Sequence, residues 1–265
     1  MSAGHRHDSR NVRRVVIPNA VVVAGLLLVT AGFCGAQEQA PPHWEYQGKS
    51  GPSNWGKLDP RFRNCSTGHT QSPINISGAK KADLPALTFD YNAVPLNIIN
   101  NGHTIQVTYA PGSSLRVGDS TYRLEQFHFH HPSEEHVNGH VYDMVAHLVH
   151  RDAENHLAVV AVLLQTGDAN GLIGTVWQNI PKEQEKALEV PGVVLNVKDL
   201  LPADRGYYTF PGSLTTPPCS EGVTWFVLKH PVNLSASQLA EFAKLFPRDA
   251  RPIEPTNGRE ILETK

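Results

Sequence analysis

The stretch that most constrains this chain is Gln126-Phe127-His128-Phe129-His130. In an extended strand, residues two apart share a face, so both imidazoles fall on one side and both phenyl rings on the other. A second alternating run, from about Val141 to His150, places Val145, His147 and Val149 on one face. Paired antiparallel with the first run, it brings His147 beside the other two rings. Buried imidazoles facing one another are costly unless something ties them together. Three neutral imidazoles with a fourth position open to solvent make a catalytic zinc arrangement, whereas structural zinc sites are closed by four protein ligands. In a chain with 14 histidines a lone His-x-His carries little weight. The third histidine on a neighbouring apolar strand gives the pair its meaning.

The 265 residues, 40% of them hydrophobic, suffice for one large domain with a buried core. Twenty prolines and 21 glycines favour strands and turns over long helices. A formal charge of −2 leaves no basic footprint, which argues against nucleic-acid binding. Residues 1–36 read as an export signal. Arg6, Arg10, Arg13 and Arg14 precede a mostly apolar run from Val15 to Phe33, and Cys34-Gly35-Ala36 offers a small-x-small cleavage site. The mature chain, residues 37–265, then starts near Gln37 and is periplasmic or secreted, with no membrane attachment once the signal is cleaved. An uncleaved anchor helix is the other reading of an apolar run this long. Phe33 is bulky for a residue preceding a lipidated Cys34, and Arg13-Arg14 leaves twin-arginine export open beside the general route. Cys65 and Cys219 are the remaining cysteines. In an exported chain such a pair is read as a disulfide, whereas a cytosolic protein would keep two buried thiols.

Along the chain, residues 37–72 show no long periodic element; His43-Trp44-Glu45-Tyr46 and Asn54-Trp55-Gly56 suggest an irregular aromatic arm. Strands are expected at Leu87 to Tyr91, Leu96 to Asn100, His103 to Tyr109, Tyr122 to His130 and Val141 to His150. Leu157 to Gln165 is nearly all apolar, as a strand buried on both faces requires. Tyr207 to Phe210 and Val223 to Lys229 complete the strands. Short helices are expected at Gly171 to Asn179 and Glu183 to Leu188, and a longer one at Ser235 to Phe246, where Ser235 and Gln238 have capping-box spacing.

Taken in order, Gln-Phe-His-Phe-His, Ser133-Glu134-Glu135-His136, Ala146-His147-Leu148-Val149-His150 and Gly212-Ser213-Leu214-Thr215-Thr216-Pro217-Pro218 resemble the alpha class of carbonic anhydrases, in particular its secreted bacterial branch. The resemblance runs from about His43 to Arg259. It implies a mainly β, α+β single domain with few short helices around a large, twisted, mostly antiparallel central sheet. It implies Zn²⁺ on His128, His130 and His147 with solvent as fourth ligand, and CO2 and bicarbonate as small-molecule substrates. A homodimer is common among such relatives.

The resemblance also assigns roles. Thr215 would orient the attacking oxygen and donate to the buried carboxylate of Glu135, and Thr216 would help to hold bicarbonate. Val149, Val159, Leu214, Val223 and Trp225 would form the apolar pocket for CO2. His103 would shuttle protons at the rim, since an unperturbed imidazole titrates near neutrality, with Tyr46, Asn101 and Gln106 serving the connecting waters. Gln126 shares a strand face with His128 and would accept its free N–H. Two positions depart from the family. Val145 stands where a glutamate usually accepts the outer N–H of the third ligand, leaving that nitrogen to water, a backbone carbonyl or nothing. Phe210 stands where a tyrosine hydroxyl is usual. The rival readings are a non-catalytic binding domain of the same type, which usually lacks a ligand histidine, and a zinc esterase, which the apolar pocket disfavours.

Overall fold

The structure is a computed structural model and describes Met1 and residues 42–265. The expected export segment lies outside the described residues. Pro41–Lys265 forms one unit. Its framework is a 13-stranded mixed sheet. Eight of its strands matter here: β1 (Val94–Asn100), β2 (Ile105–Thr108), β3 (Ser120–His130), β4 (Met144–Arg151), β5 (Leu157–Thr166), β6 (Leu188–Leu195), β7 (Tyr207–Ser213) and β8 (Glu221–Leu228). They lie in the order β6-β1-β2-β3-β4-β5-β8-β7, continued by two short strands, Leu262–Thr264 and Lys80–Ala82. Most neighbours are antiparallel, while β5 and β8 run parallel. Among the described residues no helix is long and apolar enough to cross a membrane.

The register follows from the alternation. β3 and β4 are antiparallel with His147 opposite His128 and Val145 opposite His130. One face of the central strands therefore carries the three histidines with Val145, Val149, Val159, Ala161, Val223 and Trp225. The other face carries Phe127, Phe129, Ala146, Leu148, Val160 and Val162, all fully buried. The helices Gly171–Gln178 and Ala236–Leu245 cover that rear face; Trp177 meets Phe129 edge to face at 4.7 Å and stacks on Phe242 at 5.3 Å. β5 is buried on both sides from Ala158 to Leu164, as its unbroken apolar run requires. The Ser235 cap is a complete capping box, with Gln238 N–H donating to Ser235 Oγ at 3.2 Å and Ser235 N–H to Gln238 Oε1 at 3.0 Å.

One expected helix does not form. Glu183 to Leu188 is a turn entering β6. Glu185 has a positive φ of 59° and its N–H donates to Asn100 O at 2.7 Å, which a helix would forbid. The strand that follows was masked in sequence by Pro191-Gly192. It is an edge strand whose register with β1 shifts between Glu189 and Val194, the setting in which a sheet tolerates proline. The aromatic arm is built of single turns, and Trp55 at its centre is fully buried, donating to Glu45 O and Ser50 O.

Candidate metal centre

Each histidine is fixed by a hydrogen bond on the ring nitrogen that faces away from the other two. His128 Nδ1 lies 2.8 Å from Gln126 Oε1, the acceptor expected from their shared strand face. His130 Nδ1 lies 2.7 Å from the backbone oxygen of Asp249. His147 Nε2 lies 3.1 Å from Glu135 Oε2. The nitrogens left over are Nε2, Nε2 and Nδ1. The three histidines each offer a ligand atom within 4.8 Å of the others'. Their ring centroids are 4.8–5.4 Å apart. Burial of His130 and His147 is nearly complete, and His130 Nε2 has no hydrogen-bond partner. Desolvation, then the neighbouring rings, push the His128 pKa well below its ordinary value, so it is held as the neutral form a metal needs. A buried, unpartnered nitrogen aimed at two others is a fit for a divalent cation with nitrogen preference.

A cavity of about 270 Å³ opens on this cluster, lined by His128, His147, Val149, Val159, Leu214, Thr215, Thr216 and Trp225. Val149, Val159, Leu214 and Trp225 form the apolar part of this lining. Val223 is fully buried in the apolar cluster behind them and is not part of the lining. Gln126, Glu125 and Arg151 form a polar side of the mouth. Thr215 and Thr216 lie on the loop after β7, whose turn is closed by Cys219 N–H donating to Thr216 O at 2.8 Å.

The rim residues are displaced from this cavity. His103 stacks on Trp44 at 3.7 Å with an interplanar angle of 7°, beside a second hollow that Tyr46 also lines. Asn101 acts on His103 through the backbone, its Oδ1 accepting from the N–H of His103 and Thr104. Tyr46 is packed edge-on to His130 at 6.4 Å with its hydroxyl buried and unpartnered. Gln106 lies beside His128 across the β2–β3 pairing.

Two expectations need correction. Glu135 does not bond Thr215; its Oε2 lies 3.1 Å from His147 Nε2, and its buried Oε1 has no hydrogen-bond partner. Burial, the largest single influence, opposes its ionisation, but His147 together with a backbone N–H and His130 holds its carboxyl below the usual range. Conversely, the outer nitrogen of His147 is not left to water or backbone despite Val145. Sequence reasoning also missed Glu134 and Asp249. Glu134 is buried, accepts from Arg251 N–H at 2.7 Å through Oε1, and aims its unpartnered Oε2 at His130 Nε2 (3.6 Å) and His147 Nδ1 (3.9 Å). Asp249 contributes a backbone oxygen 119 residues from its partner, for which no local pattern exists. The paired cysteines are bonded: Cys65 and Cys219 form a disulfide.

Comparison with known proteins agrees with this geometry. The family model of the eukaryotic-type carbonic anhydrases matches residues 50–265. A carbonic anhydrase of Pectobacterium carotovorum is 45% identical over 221 residues, covering 83% of this chain and 90% of that protein. A hyperthermostable carbonic anhydrase from a hydrothermal vent chimney superposes with a TM-score of 0.82 at 42% identity, over 84% of this chain and all of that one. The alpha-carbonic anhydrase of Thermovibrio ammonificans, solved with the inhibitor sulfanilamide, gives 0.80 at 40% identity over 84% and 99%. The chain belongs to the alpha, or eukaryotic-type, carbonic anhydrase family.

Proposed function

We propose that the protein catalyses the reversible hydration of carbon dioxide to bicarbonate and a proton, with zinc held by His128 Nε2, His130 Nε2 and His147 Nδ1. The observation that carries this reading is the convergence of three ring nitrogens whose opposite nitrogens are each tied down. When bound there, zinc supplies Lewis acidity that lets water lose a proton near neutral pH, an effect for which carbonic anhydrase is itself the standard case.

The remaining work falls to the chain. Val149, Val159, Leu214 and Trp225 offer CO2 an uncharged wall and keep competing water away from it. The Thr215 hydroxyl accepts from the attacking oxygen and so aims its lone pair at the substrate. Of the two buried glutamates, Glu134 is assigned the role of accepting from Thr215, because its unpartnered Oε2 is turned toward the ligand nitrogens while the Oε2 of Glu135 meets the outer nitrogen of His147. Thr216 helps to hold bicarbonate until it leaves. His103 receives the released proton and passes it to buffer. Cleavage after residue 36 and export to the periplasm or medium fit the disulfide, which persists in oxidising compartments.

Metal analysis combined with stopped-flow CO2 hydration tests this directly. The wild type should hold one zinc per chain and show a zinc-dependent rate. His147→Ala should lose both. Retention of zinc by that variant would remove His147 from the ligand set, and a zinc-loaded wild type with no rate above buffer would leave a non-catalytic binding domain.

A further inference from the structure

The chain meets the same local problem twice and solves it differently. On β3, Gln126 stands two residues before the ligand His128, on the same strand face, and its amide oxygen accepts from that ring. On β4, Val145 stands two residues before His147, on the same face, and has no polar atom to offer. A buried imidazole whose outer N–H finds no acceptor loses both its tautomer preference and a hydrogen bond. Glu135 fills the gap from outside the strand. Its Oε2 is 3.1 Å from His147 Nε2, and both residues are almost wholly buried. The adjacent Glu134 approaches the same ring from the opposite side, 3.9 Å from Nδ1. His147 therefore lies between two neighbouring glutamates, one toward the metal position and one away from it.

We propose that Glu135 is the positioning residue for His147, taking over through space the acceptor role that strand position 145 cannot fill, so that Nδ1 is presented to the metal. The proposal rests on the zinc reading above and concerns how the third ligand is oriented. Outer acceptors of this kind typically govern metal affinity by 10–100-fold, a range drawn in part from carbonic anhydrase.

The test is Zn²⁺ affinity of the full chain, measured by competition with a chromophoric chelator, for the wild type, Glu135→Ala, Glu135→Gln and the double variant Glu135→Ala/Val145→Glu. Glu135→Ala should weaken Zn²⁺ binding about 10–100-fold. Glu135→Gln keeps a neutral acceptor of the same shape, so it should fold and lose less. The double variant restores a carboxylate two residues before His147 and should recover part of the loss. The Nε2 proton signal of His147, followed by NMR in the zinc-loaded protein, should shift in Glu135→Gln. Wild-type zinc affinity in both single variants overturns the proposal, as does lowered thermal stability with affinity and the Nε2 signal unchanged, which is the signature of packing alone. Failure of the wild type itself to bind zinc would sink the zinc reading instead, and the two failures are thus distinct.

Discussion

His103 is half-buried against Trp44, and its Nδ1 has no partner. Desolvation lowers its pKa below the ordinary 6.5, outweighing the pull of Glu45. The sign matters for the proton-carrying role proposed for His103. A lowered pKa keeps the ring neutral, and so able to accept, at pH values where a free imidazole would already be charged. It also makes the protonated ring a readier donor to buffer. His103→Ala should therefore slow CO2 hydration at low buffer concentration and change it little when buffer is abundant. Trp44→Ala, which exposes the ring, should raise the pKa and move the acid limb of the low-buffer pH–rate profile to higher pH. Identical buffer dependence in wild type and His103→Ala would take the shuttle role from His103, and an unmoved acid limb would take the tuning role from Trp44.

At the scale of the element, β4 divides its residues between two environments. Val145, His147 and Val149 lie on the face of the histidine cluster, while Met144, Ala146 and Leu148 face the rear core. The β3–β4 register shifts between Val149 and His150, and His150 turns into the core, 2.7 Å from the Tyr91 hydroxyl and fully buried. Burial brings its pKa down from 6.5 to about 4. The unfolded chain takes up a proton near pH 6.5 that the folded chain refuses until about pH 4. The native state is thus unpenalised above pH 6.5 and loses about 3 kcal/mol from this group as pH falls to 4. Urea unfolding across that window should show a shallower pH dependence for His150→Gln than for the wild type, zinc content being matched; equal slopes would refute the buried neutral histidine. The strands and their faces were legible because alternation is local: Phe127 and Phe129 against His128 and His130, or the unbroken run of β5. What was illegible was decided by contacts at a distance. The turn at Glu185 is set by Asn100 O, the β6 edge hides behind Pro191-Gly192, and the choice of Glu135 rather than Glu134 for His147 depends on how one loop folds under a ring.

Across the whole molecule, the aromatic arm, the threonine loop and the C-terminal segment are joined at one place. Arg251, almost fully buried, donates to Gln71 Oε1, Ser72 O and Cys65 O, while its own N–H donates to Glu134. The Cys65–Cys219 disulfide crosses the same region, linking the arm to the loop that carries Thr215 and Thr216 over a separation of 154 residues. A loop that long restricts the unfolded chain strongly, by about 5 kcal/mol on the chain-entropy account. The double variant Cys65→Ser/Cys219→Ser should lower the free energy of unfolding by roughly that amount, read from urea titration under zinc-saturating conditions. Native hydrogen bonds of Arg251 and Gln71 still hold the arm in the folded state, so its zinc affinity should stay close to that of the wild type. A loss below about 1 kcal/mol would mean that the unfolded chain is already compact around this region. A large fall in zinc affinity would mean that the disulfide positions the metal centre itself, rather than only limiting the freedom of the unfolded chain.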